Sequence, residues 1–404
     1  MLERVGAAWT RAIASTPFWA EVARREDLPA DFDSLAEFAE RVPRMTRSLV
    51  QAMGSGLLAA NTAPDFERRT GGSTGEPIAV PGSNAEVELA AANLWYGREM
   101  HGIRPSDRAY LVWGHSHLLG DGVGRVVGKG KQLAKDLLLG YRRHSAYDMG
   151  DDDLRGAVDS ILSFRPGWIL GYSGALDRLA RVNEDRSREL AELDLKAVVA
   201  TAEAFPAADG ASVVSDVFGC PVVMEYGAVE TGPIAYECPD GGYLVFWRDF
   251  YVEGVPVGGR PGEYSLLVTS LAPRCLPLVR YELGDVVRAN PEDPISVSFF
   301  HVIGRSNDYV VLGDDRVHSE AFAHAIKGVT AIAGFQVVQQ EAGDISIRYR
   351  ALHELTDTDR GSIRRRLSRI HPALAEVAFE PTSEFEMTRA GKTPVVVRRR
   401  SEAA

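Results

Sequence analysis

The pattern of apolar and polar residues predicts helices at the start of the chain. Apolar residues recur at helical spacing from Leu2 to Ile13, which predicts an amphipathic helix over residues 2–15. Thr16 and Pro17 then predict a second helix start, because a capping hydroxyl and a proline in the first turn both favour one. Further helices are predicted over residues 35–42, 48–53, 85–100, 157–164, 174–183 and 211–218.

Runs of apolar and β-branched residues predict strands between these helices. The predicted strands cover residues 110–113, 168–171, 197–201 and 222–225, and short strands flank the segment 70–77. Because strands alternate with helices here, the pattern favours a layered α/β domain.

The second half of the chain changes character twice. Over residues 242–287 the helical pattern is absent, and short β runs at 243–247 and 263–270 suggest a β subdomain. After Gly304 the pattern predicts strands at 309–312, 333–340, 344–350 and 375–380 and helices at 319–327 and 357–369. We therefore expect a large α/β domain over residues 1–303 that includes the β subdomain, and a small α+β domain over residues 304–404.

Composition narrows the class of protein. A length of 404 residues favours two domains, and 45% hydrophobic with 25% charged residues is an ordinary globular composition. A net charge of −11 argues against nucleic acid as a partner. No stretch is apolar enough to span a membrane, the first residues do not match a signal peptide, and three cysteines are too few for a disulfide framework. We expect a cytoplasmic protein.

The segment 70–77 is the first candidate for chemistry. It reads Thr-Gly-Gly-Ser-Thr-Gly-Glu-Pro, with three glycines and three hydroxyls in eight residues. Successive N–H groups in a glycine-rich turn form an anion-binding concavity, and hydroxyls add donors around a phosphate. The same composition also suits an ordinary surface turn.

Two short stretches resemble motifs of other enzyme classes. Residues 71–75 fit the nucleophile elbow of α/β-hydrolases with Ser73 as nucleophile, but Pro77 and Pro81 follow where that elbow needs a helix. The hydrolase is kept as an alternative of another class. Gly391, Lys392 and Thr393 resemble the end of a Walker A loop, but the first glycine of that motif is missing, so the Walker assignment fails.

Three further loops combine glycine with charged or aromatic residues. Residues 226–232 follow a predicted strand directly, which is where α/β folds place ligands. A tyrosine there can stack on a base, and a carboxylate can hold Mg²⁺ beside phosphates. Residues 281–285 supply a second carboxylate in a predicted turn, and residues 304–308 lie at the predicted domain boundary. Each loop alone also suits a turn, a strand end or a linker.

Together and in this order, the motifs resemble those of the adenylate-forming superfamily of acyl-CoA synthetases and adenylation domains. They are residues 70–77, 226–232, 281–288, 304–308 and Lys392. Residues 16–19, 237–238, 269–271 and 276–281 are similar to its phenylacetate–CoA ligase-like branch. Residues 147–149, 164–166 and 171–173 resemble members of that branch from polysaccharide and natural-product pathways. The resemblance covers essentially the whole chain.

The resemblance implies an activity and a set of nucleotide-binding residues. In this family a carboxylic acid reacts with ATP, with Mg²⁺ as cofactor, and the acyl group then passes to CoA, a carrier-protein thiol or an amine. The resemblance assigns Thr70, Ser73, Thr74 and Gly75 to the phosphates, Glu203, Tyr226 and Gly227 to the adenine site, Asp285 and Arg305 to the ribose, Glu230 to Mg²⁺, and Lys392 to catalysis. It also implies that the small domain swings between the two steps. Members of the family are often dimers, so a homodimer is one of the oligomeric states left open.

The acid pocket of the family falls on a third group of residues. Trp113, His115, His117 and Tyr172 lie where that pocket is built, so they are candidates for recognising the acid. His115 and His117 with Asp121 could instead bind a metal, which is the weaker hypothesis because the loop is rich in glycine. Zinc bound through cysteines is not expected.

The chain departs from the family pattern at three places. Glu76 stands where many relatives have lysine, and Asn307 stands at the usual hinge aspartate. Residues 313–316 are more acidic than a channel for CoA phosphates would require. A non-catalytic nucleotide-binding protein is therefore a third hypothesis.

Overall fold

The computed structural model describes most of the chain. It covers residues 1–60, 62–69, 79–113, 134–146, 150–202, 204–205, 209–257, 262–290, 295–305, 309–313, 315–326, 329–341, 343–368, 370–387 and 394–399. The chain divides into two compact units, the first made of Met1–Ala92, Gly227–Ala235 and Gly241–Ala404, and the second of Asn93–Tyr226 and Tyr236–Asp240. The domain boundary between residues 303 and 304 stays a prediction.

Four helices open the first unit, and their apolar faces contribute to one hydrophobic core. They are α1 (Leu2–Ser15), α2 (Pro17–Arg25), α3 (Leu35–Arg41) and α4 (Arg47–Met53). Trp9 and Trp19 are fully buried and meet edge to face, with ring centroids 5.7 Å apart. Phe38 and Tyr251 belong to the same cluster. The helices agree with the predicted segments to within a few residues, because the apolar spacing that predicts them is also what packs this core.

The capping role predicted for Thr16 is wrong. Pro17 does begin α2, but the Thr16 hydroxyl makes no capping hydrogen bond and, among the described residues, has no partner. Thr16 both ends α1 and precedes α2. Its N–H donates to the Ala12 carbonyl at 2.9 Å, which closes the last turn of α1. Thr16 is the single residue between α1 and α2, and its buried side chain is placed by the packing of the two helices rather than by a cap.

Antiparallel strands follow the four helices in the first unit. The hairpin β1 (Phe66–Arg69) and β2 (Ala79–Gly82) lies on either side of the segment 70–77, as predicted, and α5 (Asn84–Glu99) follows. Strands β9 (Tyr243–Val245), β10 (Phe250–Pro256), β11 (Glu263–Ser270), β12 (Tyr281–Ala289) and β13 (Phe299–Arg305) pair in the order β10-β11-β12-β13-β9. This is the β subdomain that the sequence predicts.

The C-terminal part of the first unit has an apolar cluster of its own, formed by residues 310–396. Strands β14 (Tyr309–Leu312) and β15 (Asp315–His318) form a hairpin and α10 (Ser319–Ile326) follows. Strands β16 (Ile332–Gln339), β17 (Ile345–Ala351), β18 (Ala378–Pro381) and β19 (Val396–Arg398) pair in the order β18-β17-β16-β19, with α11 (Asp357–Ser368) between β17 and β18 in the chain.

The strand predicted at 375–380 is displaced in the structure. A 3₁₀ turn occupies Pro372–Glu376 and the strand begins at Ala378, because Pro372 at the first position of the turn favours helical geometry. The sequence pattern also did not identify β19, a strand of three residues whose position depends on pairing with β16.

Parallel strands form the centre of the second unit. Strands β3 (Ala109–Val112), β4 (Tyr141–His144), β5 (Trp168–Tyr172), β6 (Val198–Thr201) and β7 (Val222–Ala228) lie in the order β4-β3-β5-β6-β7. The helices that connect them are α6 (Asp151–Phe164), α7 (Ser173–Val182), α8 (Ser187–Ala191) and α9 (Gly210–Phe218). Their apolar residues pack with the strands in one cluster. The alternation of strands and helices predicted here is confirmed.

Within the residue ranges given above, no helix combines the length and the apolarity needed to cross a membrane.

Replacing a buried tryptophan of the helical core tests how much this core stabilises the fold. Trp9 is fully buried, and its indole N–H donates to the Pro29 carbonyl at 2.8 Å. We expect Trp9→Ala to lower the free energy of unfolding by about 3–5 kcal/mol, measured by urea denaturation followed by circular dichroism. The control Trp247→Ala removes a tryptophan that is 52% exposed and should change stability by no more than about 0.5 kcal/mol. Equal losses in both variants would contradict this role for the core.

Candidate functional site

A tight turn holds Glu230 between β7 and β8 (Gly232–Glu237). A Cβ added to Gly227 would lie 2.2 Å from the Gly232 carbonyl oxygen, so only glycine fits there. Gly232 itself has a φ of +70°, which glycine adopts without strain. The Thr231 hydroxyl accepts from the Ala228 N–H at 3.0 Å and donates to the Gly232 carbonyl at 2.7 Å. The loop predicted over residues 226–232 is shorter in the structure, because β7 continues through Ala228. The turn covers residues 229–231 and is closed by Gly227, Gly232 and the Thr231 hydroxyl.

The carboxylate of Glu230 is buried and paired. Its exposed fraction is 5%. One oxygen, Oε1, lies 3.1 Å from Arg47 Nη1 and accepts a hydrogen bond of 3.0 Å from the Tyr281 hydroxyl. Within the described part of the chain, the other oxygen, Oε2, accepts no hydrogen bond. A carboxylate held at one oxygen in this way has the second available for a cation.

Backbone pairing explains why Arg47 reaches this carboxylate. Met45 forms an isolated bridge with Tyr281, in which the Met45 N–H donates to the Arg280 carbonyl at 3.0 Å and the Glu282 N–H donates to the Met45 carbonyl at 2.9 Å. Arg47 lies two residues farther on, at the start of α4. The bridge thus places the arginine and Tyr281 next to each other on one carboxylate. Arg47 was not among the predicted site residues.

Asp285 and Arg305, both predicted as ribose contacts, lie on neighbouring strands. They are directly opposite each other in the antiparallel pair of β12 and β13. The turn predicted for residues 281–285 is wrong, because Asp285 lies inside β12. A glycine at position 284 suggests a turn in the sequence, and its φ is +78°, but the strand continues through it to Ala289.

The carboxyl ends of the parallel strands bring two predicted pocket residues together in the second unit. Val112, the last residue of β3, pairs with Gly171 of β5, so Trp113 and Tyr172 lie side by side. Their ring centroids are 4.5 Å apart with the planes inclined by 34°. Ligands of α/β folds bind at this end of the strands. The aromatic pair therefore suits an apolar or aromatic group of a ligand.

A buried ion pair lies directly before Tyr226, the residue predicted to stack on adenine. Glu225 in β7 meets Arg98 at 2.8 Å, and both side chains are about 10% exposed. Burial raises the pKa of the Glu225 carboxyl, and the Arg98 guanidinium opposes that rise. Arg98 also lies over the rings of Trp95 and Trp168, at 5.1 and 4.8 Å. This pair was not predicted, although a glutamate inside an apolar strand needs a buried partner.

The buried cysteines do not offer a nucleophile. Burial, and after it the neighbouring Glu86 carboxylate, raise the pKa of the Cys275 thiol to about 11. Burial raises the pKa of the Cys220 thiol to about 12. Both therefore stay protonated at neutral pH, and the thiolate is the reactive form.

Among the residues that the structure describes, no three His, Cys, Asp or Glu side chains cluster so as to hold a metal ion.

Several predicted site residues lie outside the described residues. These are Thr70, Ser73, Thr74, Gly75, His115, His117, Glu203 and Lys392, together with Glu76, Asp121 and Asn307. Their roles stay predictions, as do the roles of the residues placed above.

Comparisons with known proteins give the fold. No family model matches the chain. Protein CapK of Staphylococcus aureus is 23% identical over 301 residues, which is 73% of this chain and 65% of that protein. The match thus spans less than two thirds of the length of CapK.

Solved structures match over more of the chain. A 2-hydroxyisobutyryl-CoA ligase, solved in its postadenylation state with an acyl-AMP, superposes with a TM-score of 0.74 at 16% identity, covering 99% of this chain and 89% of the ligase. The amide bond synthetase McbA of Marinactinospora thermotolerans gives a TM-score of 0.56 at 18% identity, covering 82% of this chain and 67% of McbA. The chain has the fold of these ligases, so the fold that the resemblance implies is confirmed.

A methyl group at Gly227 tests the closure of the turn that carries Glu230. Gly227→Ala places a Cβ 2.2 Å from a carbonyl oxygen, and such overpacking should lower the free energy of unfolding by about 1–3 kcal/mol. Gly156→Ala is the matched control, because nothing lies within 4 Å of its added Cβ in α6 and alanine should stabilise a helix there by about 0.5–1 kcal/mol. Urea denaturation measures both. A stabilised Gly227→Ala protein would show that the turn is not closed as described.

Proposed function

We propose that this protein activates a carboxylic acid with Mg-ATP and then passes the acyl group to a thiol or an amine. The observation that supports it most is the superposition over 99% of the chain on a CoA ligase solved with an acyl-AMP. A second neighbour, an anthranilate CoA ligase, was solved with anthranoyl-AMP and gives a TM-score of 0.57. An acyl-AMP is the product of the first step proposed here.

The proposed reaction has two steps. In the first, an oxygen of the acid's carboxylate attacks the α-phosphorus of ATP, the bond from that phosphorus to the oxygen bridging to the β-phosphate breaks, and pyrophosphate leaves. In the second, the thiol or amine attacks the acyl carbonyl and loses its proton, while AMP leaves with the electron pair of the broken bond. Pyrophosphate, AMP and the thioester or amide are the products.

Residues of this chain are assigned to the nucleotide as follows. Asp285 accepts from the ribose hydroxyls, with Arg305 opposite it on the next strand. Tyr226 stacks on the adenine beside Glu203 and Gly227. Thr70, Ser73, Thr74 and Gly75 hold the phosphates through hydroxyl and backbone donors, which stabilise charge without having to reorient.

Glu230 is assigned as a ligand of Mg²⁺. Mg²⁺ is usually held by one or two carboxylates together with substrate phosphates and water. Arg47 and Tyr281 hold only Oε1 of Glu230, so Oε2 is available for the ion. A structural neighbour, an O-succinylbenzoate CoA synthetase of Bacillus subtilis, was solved with ATP and a magnesium ion. Mg²⁺ bound at Glu230 would neutralise part of the charge of the β- and γ-phosphates.

Lys392 is assigned to the first step. Its ammonium group is proposed to lie between the acid's carboxylate and the α-phosphate, bringing two anions together and offsetting the charge that develops at phosphorus. After the first step the small domain over residues 304–404 is proposed to rotate, which removes Lys392 from the site.

The aromatic pair of Trp113 and Tyr172 defines the proposed acid pocket, and His115 and His117, which follow Trp113 closely in the sequence, are assigned to the same pocket. Two rings with centroids 4.5 Å apart suit an acid with an aromatic or apolar body more than a small polar acid. Both kinds of acceptor have support among the structural neighbours, since one is a ligase solved with CoA and another is an amide bond synthetase. The free cysteines and the use of ATP support a cytoplasmic location.

Exchange of labelled pyrophosphate into ATP tests the proposed function. We expect exchange that depends on added acid, across a panel of aromatic, aliphatic and amino acids. Lys392→Ala should reduce this exchange on the order of 10²-fold or more while ATP binding persists, because the lysine acts mainly in the transition state. No exchange with any acid, together with ester hydrolysis that survives Lys392→Ala and disappears with Ser73→Ala, would support the alternative hydrolase.

Shortening one ring of the aromatic pair tests the acid pocket. Trp113→Ala removes the ring that packs on Tyr172, and we expect the KM for the preferred acid to rise roughly 10-fold or more, as for the loss of a buried aromatic contact. The KM for ATP should stay within about twofold of the wild-type value. Trp247→Ala, at an exposed tryptophan, is the control. A rise in the KM for ATP with an unchanged KM for the acid would contradict the assignment.

A further inference from the structure

Arg274 is buried against the turn that carries Glu230. It lies between β11 and β12, and its side chain is 11% exposed. Nη1 donates to the Thr231 carbonyl at 2.8 Å and Nη2 donates to the Glu230 carbonyl at 3.1 Å. One guanidinium group thus holds two consecutive carbonyl groups of the main chain, which fixes the plane of the peptide group between them.

Glu86 holds Arg274 from the other side. Glu86 Oε2 lies 3.2 Å from Arg274 Nη2, and the glutamate side chain is 7% exposed. Its second oxygen, Oε1, accepts from the N–H of Cys275 at 2.9 Å. Glu86 therefore binds both the side chain of Arg274 and the backbone of the following residue. Separating Arg274 from Glu86 would leave two buried charges without partners, which is strongly unfavourable. The two side chains therefore stay paired.

The contacts of Arg274 complement those of Arg47 and Tyr281. Arg47 and Tyr281 hold the carboxylate of Glu230 at Oε1. Arg274 holds the main chain of the same residue. Position and orientation of Glu230 are thus set by different groups, and Oε2 is left in a fixed direction.

We propose that Arg274, braced by Glu86, is a positioning residue that sets Glu230 for Mg²⁺. The inference rests on the proposed function, because that function assigns Mg²⁺ to Glu230. Residues that orient a metal ligand without touching the metal typically change metal affinity 10- to 100-fold when they are replaced. Lysine at position 274 keeps the charge but loses the planar pair of donors that meets two carbonyls at once.

Calorimetric titration of ATP into the full-length protein, with and without Mg²⁺, tests this role apart from catalysis. We expect Arg274→Lys to bind ATP without Mg²⁺ within about twofold of wild type and to lose on the order of 10-fold of the affinity gained with Mg²⁺. Glu86→Gln should show the same pattern more weakly, and it serves if Arg274→Lys does not fold. Equal losses with and without Mg²⁺, or a wild-type protein whose ATP affinity does not respond to Mg²⁺, would overturn the proposal.

A matched control separates positioning from stability. Arg181 is a similarly buried arginine, 15% exposed, paired with Asp177 at 3.0 Å and Asp209 at 2.7 Å in the second unit. Arg181→Lys should lower the thermal midpoint but leave the response to Mg²⁺ unchanged. If Arg181→Lys weakens that response as much as Arg274→Lys does, Arg274 has only a structural role.

A second comparison tests whether Arg274 acts through Glu230. In a Glu230→Gln background, Arg274→Lys should cause no further loss of the response to Mg²⁺, because the two residues act as one unit. Additive losses would overturn the proposal. A protein that binds Mg-ATP as expected but shows no acid-dependent pyrophosphate exchange would contradict the proposed function and leave the role of Arg274 standing.

Discussion

The burial of Glu230 is the constraint on which the first unit depends. A buried carboxylate is costly unless cations and donors surround it. Here Arg47 comes from the N-terminal helices and Tyr281 from the start of β12, and Arg274 binds the main-chain carbonyls of the same turn. Two segments far apart in the sequence, one around residue 47 and one over residues 274–281, therefore have to reach the turn before the charge is satisfied. This couples the helical core, the β subdomain and the turn.

The second unit also contains a buried carboxylate that is paired with an arginine. Glu225 lies in an apolar strand, and Arg98 neutralises it while packing between Trp95 and Trp168. Glu225 directly precedes Tyr226 in β7, so the ion pair anchors the strand next to that tyrosine. On the neighbouring strands the aromatic pair of Trp113 and Tyr172 lies at the carboxyl ends. In this unit the buried ion pair lies within the sheet, and the aromatic pair lies at the carboxyl ends of its strands.

The sequence predicts those parts of the structure that depend on local pattern. Apolar spacing predicts α1, and the alternation of strands and helices predicts the parallel sheet of the second unit. The predictions that fail depend on neighbours distant in the chain: Asp285 lies in a strand because β13 pairs with it, and the Thr16 hydroxyl is placed by helix packing. Arg47 could not be predicted as a partner of Glu230, since 183 residues separate the two.

We propose that Glu230 and Asp285 act on one nucleotide, Glu230 through the metal and Asp285 through the ribose. A crystal structure of the protein with Mg²⁺ and a non-hydrolysable acyl-adenylate or ATP analogue tests it most directly. We expect the ribose hydroxyls within hydrogen-bond distance of the Asp285 carboxylate and the ion bound to Oε2 of Glu230, with Arg47 still at Oε1. A nucleotide bound away from Asp285, with no ion at Glu230, would contradict it.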